Sequence, residues 1–470
     1  MYLAKNNIIV PLEFAEEPKY ALLNPLSGNF DLIDKSEYQQ ILSGKIDSEM
    51  ADYLLKRGYA FHKKDDEDAE VRKHWEVFQQ ETDTSQTQLL LIPSYGCNLA
   101  CKYCYQAGMQ PESKLIKPEV VEAFFHYAKK NFADRPVKPF ITLFGGEPLI
   151  NSPAHRRIVE LIVDRCVEEG YELAVVTNGY DLIDYIDILT RANIKEIQVT
   201  LDGSQEVHDQ RRGTANGKGT FMRIIEGIKA AVSRGITINL RSVVDNENLL
   251  DLVALAEFLD DQGWLDLPPG KFKTQIGRNY ELFECYAKPQ HLMSQAELWR
   301  EFSQLSRKHP ILKKFHRPDF KGIRQLVDTG EMYMASFDTC PAAKTEWVFD
   351  LNGDIYGCTA SCGREEYKLG TFYPEVRLNQ QDINDWQNRN VNNISECRDC
   401  KYNVICGGGC GVIAANKTGR VLAPDCRPVQ ELMEIGVNHY SREILAMADK
   451  DSDSCCNIPQ TVIRIPSVLI

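Results

Sequence analysis

No run of about 18 apolar residues occurs in this 470-residue chain, so nothing in it reads as a membrane-spanning helix. The opening MYLAKNNIIVPLEFAEE has neither an apolar core segment nor a small-residue cleavage site. It is therefore no secretory signal, and a cytoplasmic location is expected. Basic charge is in deficit: 54 Lys and Arg against 67 Asp and Glu leave a formal net charge of −13. A nucleic-acid binder would more often be basic, so that class is set aside. Cysteine is missing from residues 1–80, yet the chain holds 15 of them. Disulfides are rare in a reducing compartment, so clustered cysteines point to metal or redox chemistry. With 43% hydrophobic and 26% charged residues over this length, the chain reads as a soluble globular protein of two or three domains.

Residues 1–80 begin with strand-like apolar runs, NNIIVPLEF and YALLNPLSGNFDLI, joined by turn chemistry, and continue with short helical spacings. That order predicts a small winged-helix-like module. The charged stretch HKKDDEDAEVRKHWEVFQQETDTSQTQ reads as a linking helix with a solvated face. From residue 88 short apolar strands alternate with amphipathic helices, from TQLLLIP to ENLLDLVALAEFLDDQG. Such alternation predicts right-handed βαβ units on a parallel sheet, as a whole or partial TIM-type barrel or a doubly wound sheet. The functional site then belongs at the C-terminal strand ends. The marked residues fall there: three cysteines after the first strand, GGEP after the second, TNG after the third, LDG after the fourth and LRSVV at the fifth. From about residue 320 the alternation stops. TEWVFDLNGDIYGC reads as a β-hairpin around an Asn-Gly turn, and VQELMEIGVNHYSREILAMA as a closing helix. The expected division is 1–80, 81–315, 316–450 and a tail at 451–470.

Cys97, Cys101 and Cys104 have the spacing CxxxCxxC. Three thiolates on a 4Fe–4S cube leave one iron open to chelate a small molecule, as metal sites that do chemistry do. The alternative is zinc, completed by a distant His or Cys. The stretch, with its surroundings at roughly 88–260, resembles the radical S-adenosylmethionine (SAM) superfamily. That resemblance implies a 4Fe–4S cluster on the three cysteines, with SAM on its open iron. Tyr103 takes the aromatic position near the adenine. Gly145, Gly146 and Glu147 match the GGE motif, whose glycines let backbone approach a ligand and whose glutamate holds the methionine amine. LDGSQEVHDQRRGTANGKGTF resembles a stretch of the peptide-modifying branch, in which Arg212 would face the SAM carboxylate, with Arg211 as alternative. His208 and Asp209 read as helix capping and loop packing. Asn178, and Ser242 or Arg241, are further SAM-site candidates, with strand-end turn chemistry as the plain alternative.

Further on come Cys340, Cys358 and the run Cys397, Cys400, Cys406, Cys410, then Cys426. Spacing alone leaves zinc ribbons open. The seven-cysteine pattern resembles the SPASM domain, which carries two auxiliary 4Fe–4S clusters. By that resemblance Cys397, Cys400, Cys406 and Cys426 bind the second cluster, and Cys340, Cys358 and Cys410 the first. The first set is one ligand short. Cys362 is expected to complete it; otherwise an open iron could bind a substrate thiolate or amide. Cys166 reads as core, Cys285 as a free thiol, and Cys455 and Cys456 as tail thiols.

Three clusters in one chain imply an oxidative reaction, since the substrate radical must lose an electron. The expected enzyme is a maturase that crosslinks a ribosomally synthesised precursor peptide, most simply by a Cys thioether. Its N-terminal module would bind the leader as an added strand, and a flavodoxin or ferredoxin would supply electrons. The alternatives are a protein maturase of the sulfatase (formylglycine) or quinohemoprotein amine dehydrogenase type, or a non-catalytic iron–sulfur carrier or scaffold. Thr359 stands where the sulfatase-maturing branch has an aspartate base. No general base is assigned.

Overall fold

Six strands pair in parallel and in chain order: β6 (Gln88–Ile92), β7 (Phe140–Leu143), β8 (Leu173–Thr177), β9 (Ile194–Thr200), β10 (Ile238–Val244) and β11 (Phe272–Arg278). Their numbers follow five N-terminal strands: β1 (Tyr2–Leu3), β2 (Ile8–Pro11), β3 (Lys19–Asn24), β4 (Asn29–Asp34) and β5 (Ala60–Phe61). This computed structural model describes residues 1–451 apart from 14, 110–113, 280–281, 283–288 and 334. Cys285, Cys455 and Cys456 lie outside the described residues. Helices Pro118–Asn131, Pro153–Glu169, Leu182–Leu189, Phe221–Ser233 and Leu252–Asp261 connect the parallel strands. Leu89, Leu91, Ile141, Leu143, Leu173 and Val175 are buried under them, as expected of a parallel sheet covered by crossover helices. Local chemistry sets the helix limits. Ser152 accepts from the His155 amide, Pro153 starts the helix and left-handed Gly170 ends it.

The sheet continues past β6. β12 (Glu346–Asp350) pairs with β6 in parallel, and β13 (Asp354–Tyr356), β14 (Lys368–Thr371) and β15 (Arg377–Leu378) follow antiparallel. β11 and β15 end the ten-stranded sheet, so among the described residues strand pairing does not close it. The fold is thus α/β with a large parallel sheet and an open, partial barrel. Five of its six parallel strands were read from the sequence. β11 was not: its FKTQIGR is half polar and mostly half-buried, without the apolar run that marks the others. The boundary expected at 315/316 cuts a sheet that is continuous across β6 and β12.

β2, β3 and β4 form a separate antiparallel sheet, followed by helices Lys35–Ser43 and Ser48–Lys56. Ile8 and Val10 share a core with Phe320, Ile405, Met433 and Val437, so the module packs on the C-terminal region. Gln430 donates to the Ile9 carbonyl (3.2 Å) and Asn438 to that of Pro11 (3.1 Å), which covers the β2 edge. β4 is the other edge of that sheet. The linking helix Lys64–Thr84 is more than a solvated face. Val71, Trp75 and Phe78 pack against a core of Leu26, Phe337, Val391 and Ile394. The closing helix is two, Val429–His439 and Ser441–Asp451. No helix among the described residues is long and apolar enough to cross a membrane.

Candidate active site

A cavity of about 750 Å³ opens at the C-terminal ends of the parallel strands, within the size range of small-molecule sites. Cys97, Cys101 and Cys104 line one part of it and Cys340, Cys358 and Cys410 another. Glu196, Gln198, Thr200, Arg241 and Arg278 from β9, β10 and β11 line it as well. Strand alternation sends every second side chain of β9 inward.

The loop carrying the first three cysteines is held on two sides. The Gly146 amide donates to the Ser94 carbonyl (3.0 Å) and the Glu147 amide to that of Gly96 (2.8 Å). Ala100 donates to the Gly213 carbonyl (2.9 Å) and Lys102 to that of Arg211 (3.3 Å). A Cβ on Gly146 would lie 2.2 Å from the Tyr95 carbonyl oxygen, and one on Gly145 2.5 Å from that of Ser94. The two glycines border the cavity, but the close approach they permit is to the cysteine loop itself.

Glu147 differs from its expected role. It is 1% exposed and absent from the cavity wall. Its carboxylate accepts from the amides of Leu149 (2.8 Å) and Asn178 (2.6 Å) and from the Thr177 hydroxyl (2.6 Å). It ties the ends of β7 and β8 together, and burial raises its pKa to about 7. Ser242 also departs from expectation: it is fully buried, and its hydroxyl donates to the Leu201 carbonyl (2.6 Å). Its neighbour Arg241 is the residue that lines the cavity. Asn178 lines it too, donating to Asn98 Oδ1 (2.8 Å), with Cys97 Sγ 3.7 Å away.

Arg212 and Tyr103 both face the cavity. The Tyr103 hydroxyl donates to Asp202 and accepts from Arg212. Arg211 is spent elsewhere, paired to Asp245 at 2.9 and 3.0 Å. His208 is buried between the Asp202 amide (3.3 Å) and the Thr220 hydroxyl (3.1 Å), and burial lowers its pKa to about 3. Asp209 caps the helix that starts at Phe221 by accepting from the amides of Thr220 and Phe221. Both have the packing roles expected of them.

The remaining cysteines fall into two groups. Cys340 and Cys410 are neighbours of Cys358. Cys400, Cys406 and Cys426 are neighbours of Cys397. Cys362 joins neither. It is buried beside Tyr95, accepts from Gln106 (3.6 Å) and reaches the Thr359 carbonyl (3.1 Å). The structure packs it with Tyr95 and Gln106, in a different core cluster from Cys340 and Cys358. The sequence also gave no sign of Arg389, which is fully buried and donates to the carbonyls of Gly408 (2.6 Å), Ala423 (3.0 Å) and Val421 (3.1 Å). It pins the glycine run to the segment before Cys426.

Burial pushes the Cys97 thiol up to about 12 and raises Cys101 and Cys104. Iron binding would remove these protons. Among the described residues no three His, Cys, Asp or Glu close around a single metal ion. Arg212 adds a second fit. Its buried Nε has no hydrogen-bond partner and its charge is held beside Cys101, which suits a carboxylate ligand.

Residues 91–259 match the radical SAM superfamily. They form a radical SAM domain, and the chain is a radical SAM enzyme; the domain implies a 4Fe–4S cluster and SAM. The chain is 24% identical over 352 residues to a serine-type anaerobic sulfatase-maturating enzyme of Bacteroides thetaiotaomicron, covering 67% of this chain and 80% of that one. It is 24% identical over 343 residues to a cysteine-type anaerobic sulfatase-maturating enzyme of Clostridium novyi, covering 69% and 88%. The fold resembles native anSMEcpe with bound AdoMet, with a TM-score of 0.57 and 17% identity over 77% of this chain and 99% of that one. It also resembles Streptococcus suis SuiB bound to S-adenosylmethionine, with a TM-score of 0.50 and 17% identity over 91% and 99%.

Proposed function

We propose that this enzyme oxidises a side chain of a peptide or protein segment held in the cavity, by removal of a hydrogen atom and then an electron. The observation that carries this reading is that one cavity is lined by both Cys97, Cys101 and Cys104 and Cys340, Cys358 and Cys410. A substrate placed there touches the site of radical formation and a site able to accept an electron. A 4Fe–4S cluster and SAM, when bound, would supply the radical chemistry that removes the hydrogen atom. Cys97, Cys101 and Cys104 would hold that cluster, Arg212 the SAM carboxylate, and Tyr103 and Asn178 its surroundings. Cys340, Cys358 and Cys410 would hold a first auxiliary cluster. Cys397, Cys400, Cys406 and Cys426, outside the cavity, would hold a second on the way to an external acceptor.

The curated relatives favour residue oxidation of the sulfatase-maturating kind over thioether formation. Thr359, in place of an acidic residue, leaves the base for that reaction unassigned. A crosslink in a ribosomal peptide is the second reading. It is supported by the unshared β4 edge, which suits a leader added as a strand. Anaerobic incubation with SAM, reductant and two substrates separates them: a sulfatase-motif peptide and the precursor peptide encoded beside the enzyme. Oxidation gives an aldehyde that a hydrazide captures. A crosslink gives a loss of about two hydrogens with no aldehyde. 5′-Deoxyadenosine without any change in either peptide would refute both.

A further inference from the structure

The site at Cys340, Cys358 and Cys410 offers three thiols where a cube exposes four irons. A carboxylate stands beside them. Glu346, on β12, is 3% exposed and lines the cavity together with all three thiols. Hydrogen bonds fix it between the segments that carry two of them. Its amide donates to the Pro341 carbonyl (3.0 Å), next to Cys340, and its carbonyl accepts from Ala343 (2.9 Å). Its Oε1 accepts from the Thr359 amide (2.7 Å), next to Cys358. Glu346 is a near neighbour of the Cys358 thiol, as are Cys340 and Cys410.

Among the described residues no cation is paired with this carboxyl group. It is buried, and its hydrogen bonds come from Thr359. A buried carboxylate without a cation is expensive. Iron supplies the missing positive charge, and carboxylate oxygen is an established kind of iron ligand.

We propose that Glu346 is the fourth protein ligand of the cluster at Cys340, Cys358 and Cys410, through a carboxylate oxygen. The proposal rests on the reading that those thiols hold a cluster. Coordination by the carboxylate changes no oxidation state. One iron then has an oxygen donor and three have sulfur, which makes it spectroscopically distinct. The site is closed, and its task is electron transfer rather than capture of a substrate atom.

The test uses the full chain, purified anaerobically with iron-57. The substitutions Cys97→Ala, Cys101→Ala and Cys104→Ala in one chain remove the SAM-site signal. Mössbauer spectra should show one distinct iron site, which Glu346→Cys converts to an all-sulfur spectrum at unchanged iron content. Glu346→Gln should lose about one iron per chain and give a three-iron signal on oxidation. Electron–nuclear double resonance on the reduced parent, labelled with carbon-13 glutamate, should show coupling to the cluster; this needs no Glu346 variant and so does not depend on one folding. Identical spectra for parent, Glu346→Gln and Glu346→Cys, or no carbon-13 coupling, overturn the assignment. If Cys340→Ala and Cys410→Ala leave iron and sulfide unchanged, the cluster reading itself falls, and Glu346 with it.

Discussion

Arg212 donates to the Tyr103 hydroxyl at 2.5 Å while its guanidinium lies 5.8 Å from the centre of the same ring. Arg211 lies 5.2 Å from that centre, so two cations border one aromatic ring at the cavity. Asp202 accepts from the Tyr103 hydroxyl and provides the counter-charge. A charged donor is thereby set beside Cys101 before any ligand arrives.

Arg212→Gln should weaken SAM binding while leaving the iron of the first cluster in place. A hydrogen bond to a charged group contributes about 1.5–3 kcal/mol, which is roughly 10- to 100-fold in Kd. Equilibrium dialysis of labelled SAM checks this beside an iron count. An unchanged Kd would remove Arg212 from the SAM site.

Cys362→Ala should leave iron content and cluster spectra as they are, because the thiol is packed with Tyr95 and Gln106. Its cost should be in stability, about 1–2 kcal/mol for a small buried cavity. Loss of iron from the first auxiliary site would restore Cys362 as a ligand.

Gly409→Ala and Gly44→Ala separate strain from collision. Both glycines are left-handed, at φ 70° and 69°. A Cβ at Gly44 meets nothing within 4 Å, whereas at Gly409 it would lie 2.2 Å from the Asp425 carbonyl oxygen. Gly44→Ala should cost about 1–2 kcal/mol and no iron. Gly409→Ala displaces the residue before Cys426 and should also deplete iron at the second auxiliary site, as iron analysis and thermal melting would show.

His439 should make the holoenzyme acid-sensitive. Burial lowers its pKa to about 4, with nearby Lys313, Arg307 and Arg317 adding to the shift, and Ser303 lies 2.9 Å from its Nδ1. The folded chain prefers the neutral ring, so its contribution is complete above pH about 6.5 and is lost as the pH falls towards 4. Melting temperature should fall between pH 6.5 and 5.5, and less so in His439→Gln. Equal slopes for both proteins would contradict the assignment.

Local patterns made much of this molecule legible. Apolar runs such as Gln88–Ile92 and Leu173–Thr177 announced buried parallel strands, because their neighbours are fixed by short crossovers. Glycine in GGEP announced a close approach, although the partner proved to be the cysteine loop. The edge strand Phe272–Arg278 lacked such a run. The linking helix hid the packing of Trp75 and Phe78 among its charges, since one apolar stripe in a 21-residue helix barely alters its composition.

The sequence by itself determined the thiol-bearing segments, the βαβ order and the strand-end position of the site, because spacing and periodicity act over a few residues. Tertiary structure alone decided that Cys362 packs with Tyr95 and Gln106, that Glu147 and Ser242 face inward to the chain, and that Glu346 stands beside Cys358. Those outcomes depend on register between strands distant in sequence, above all β12 against β6. Pairing of that kind is set by the packing of the whole sheet, and no local pattern encodes it.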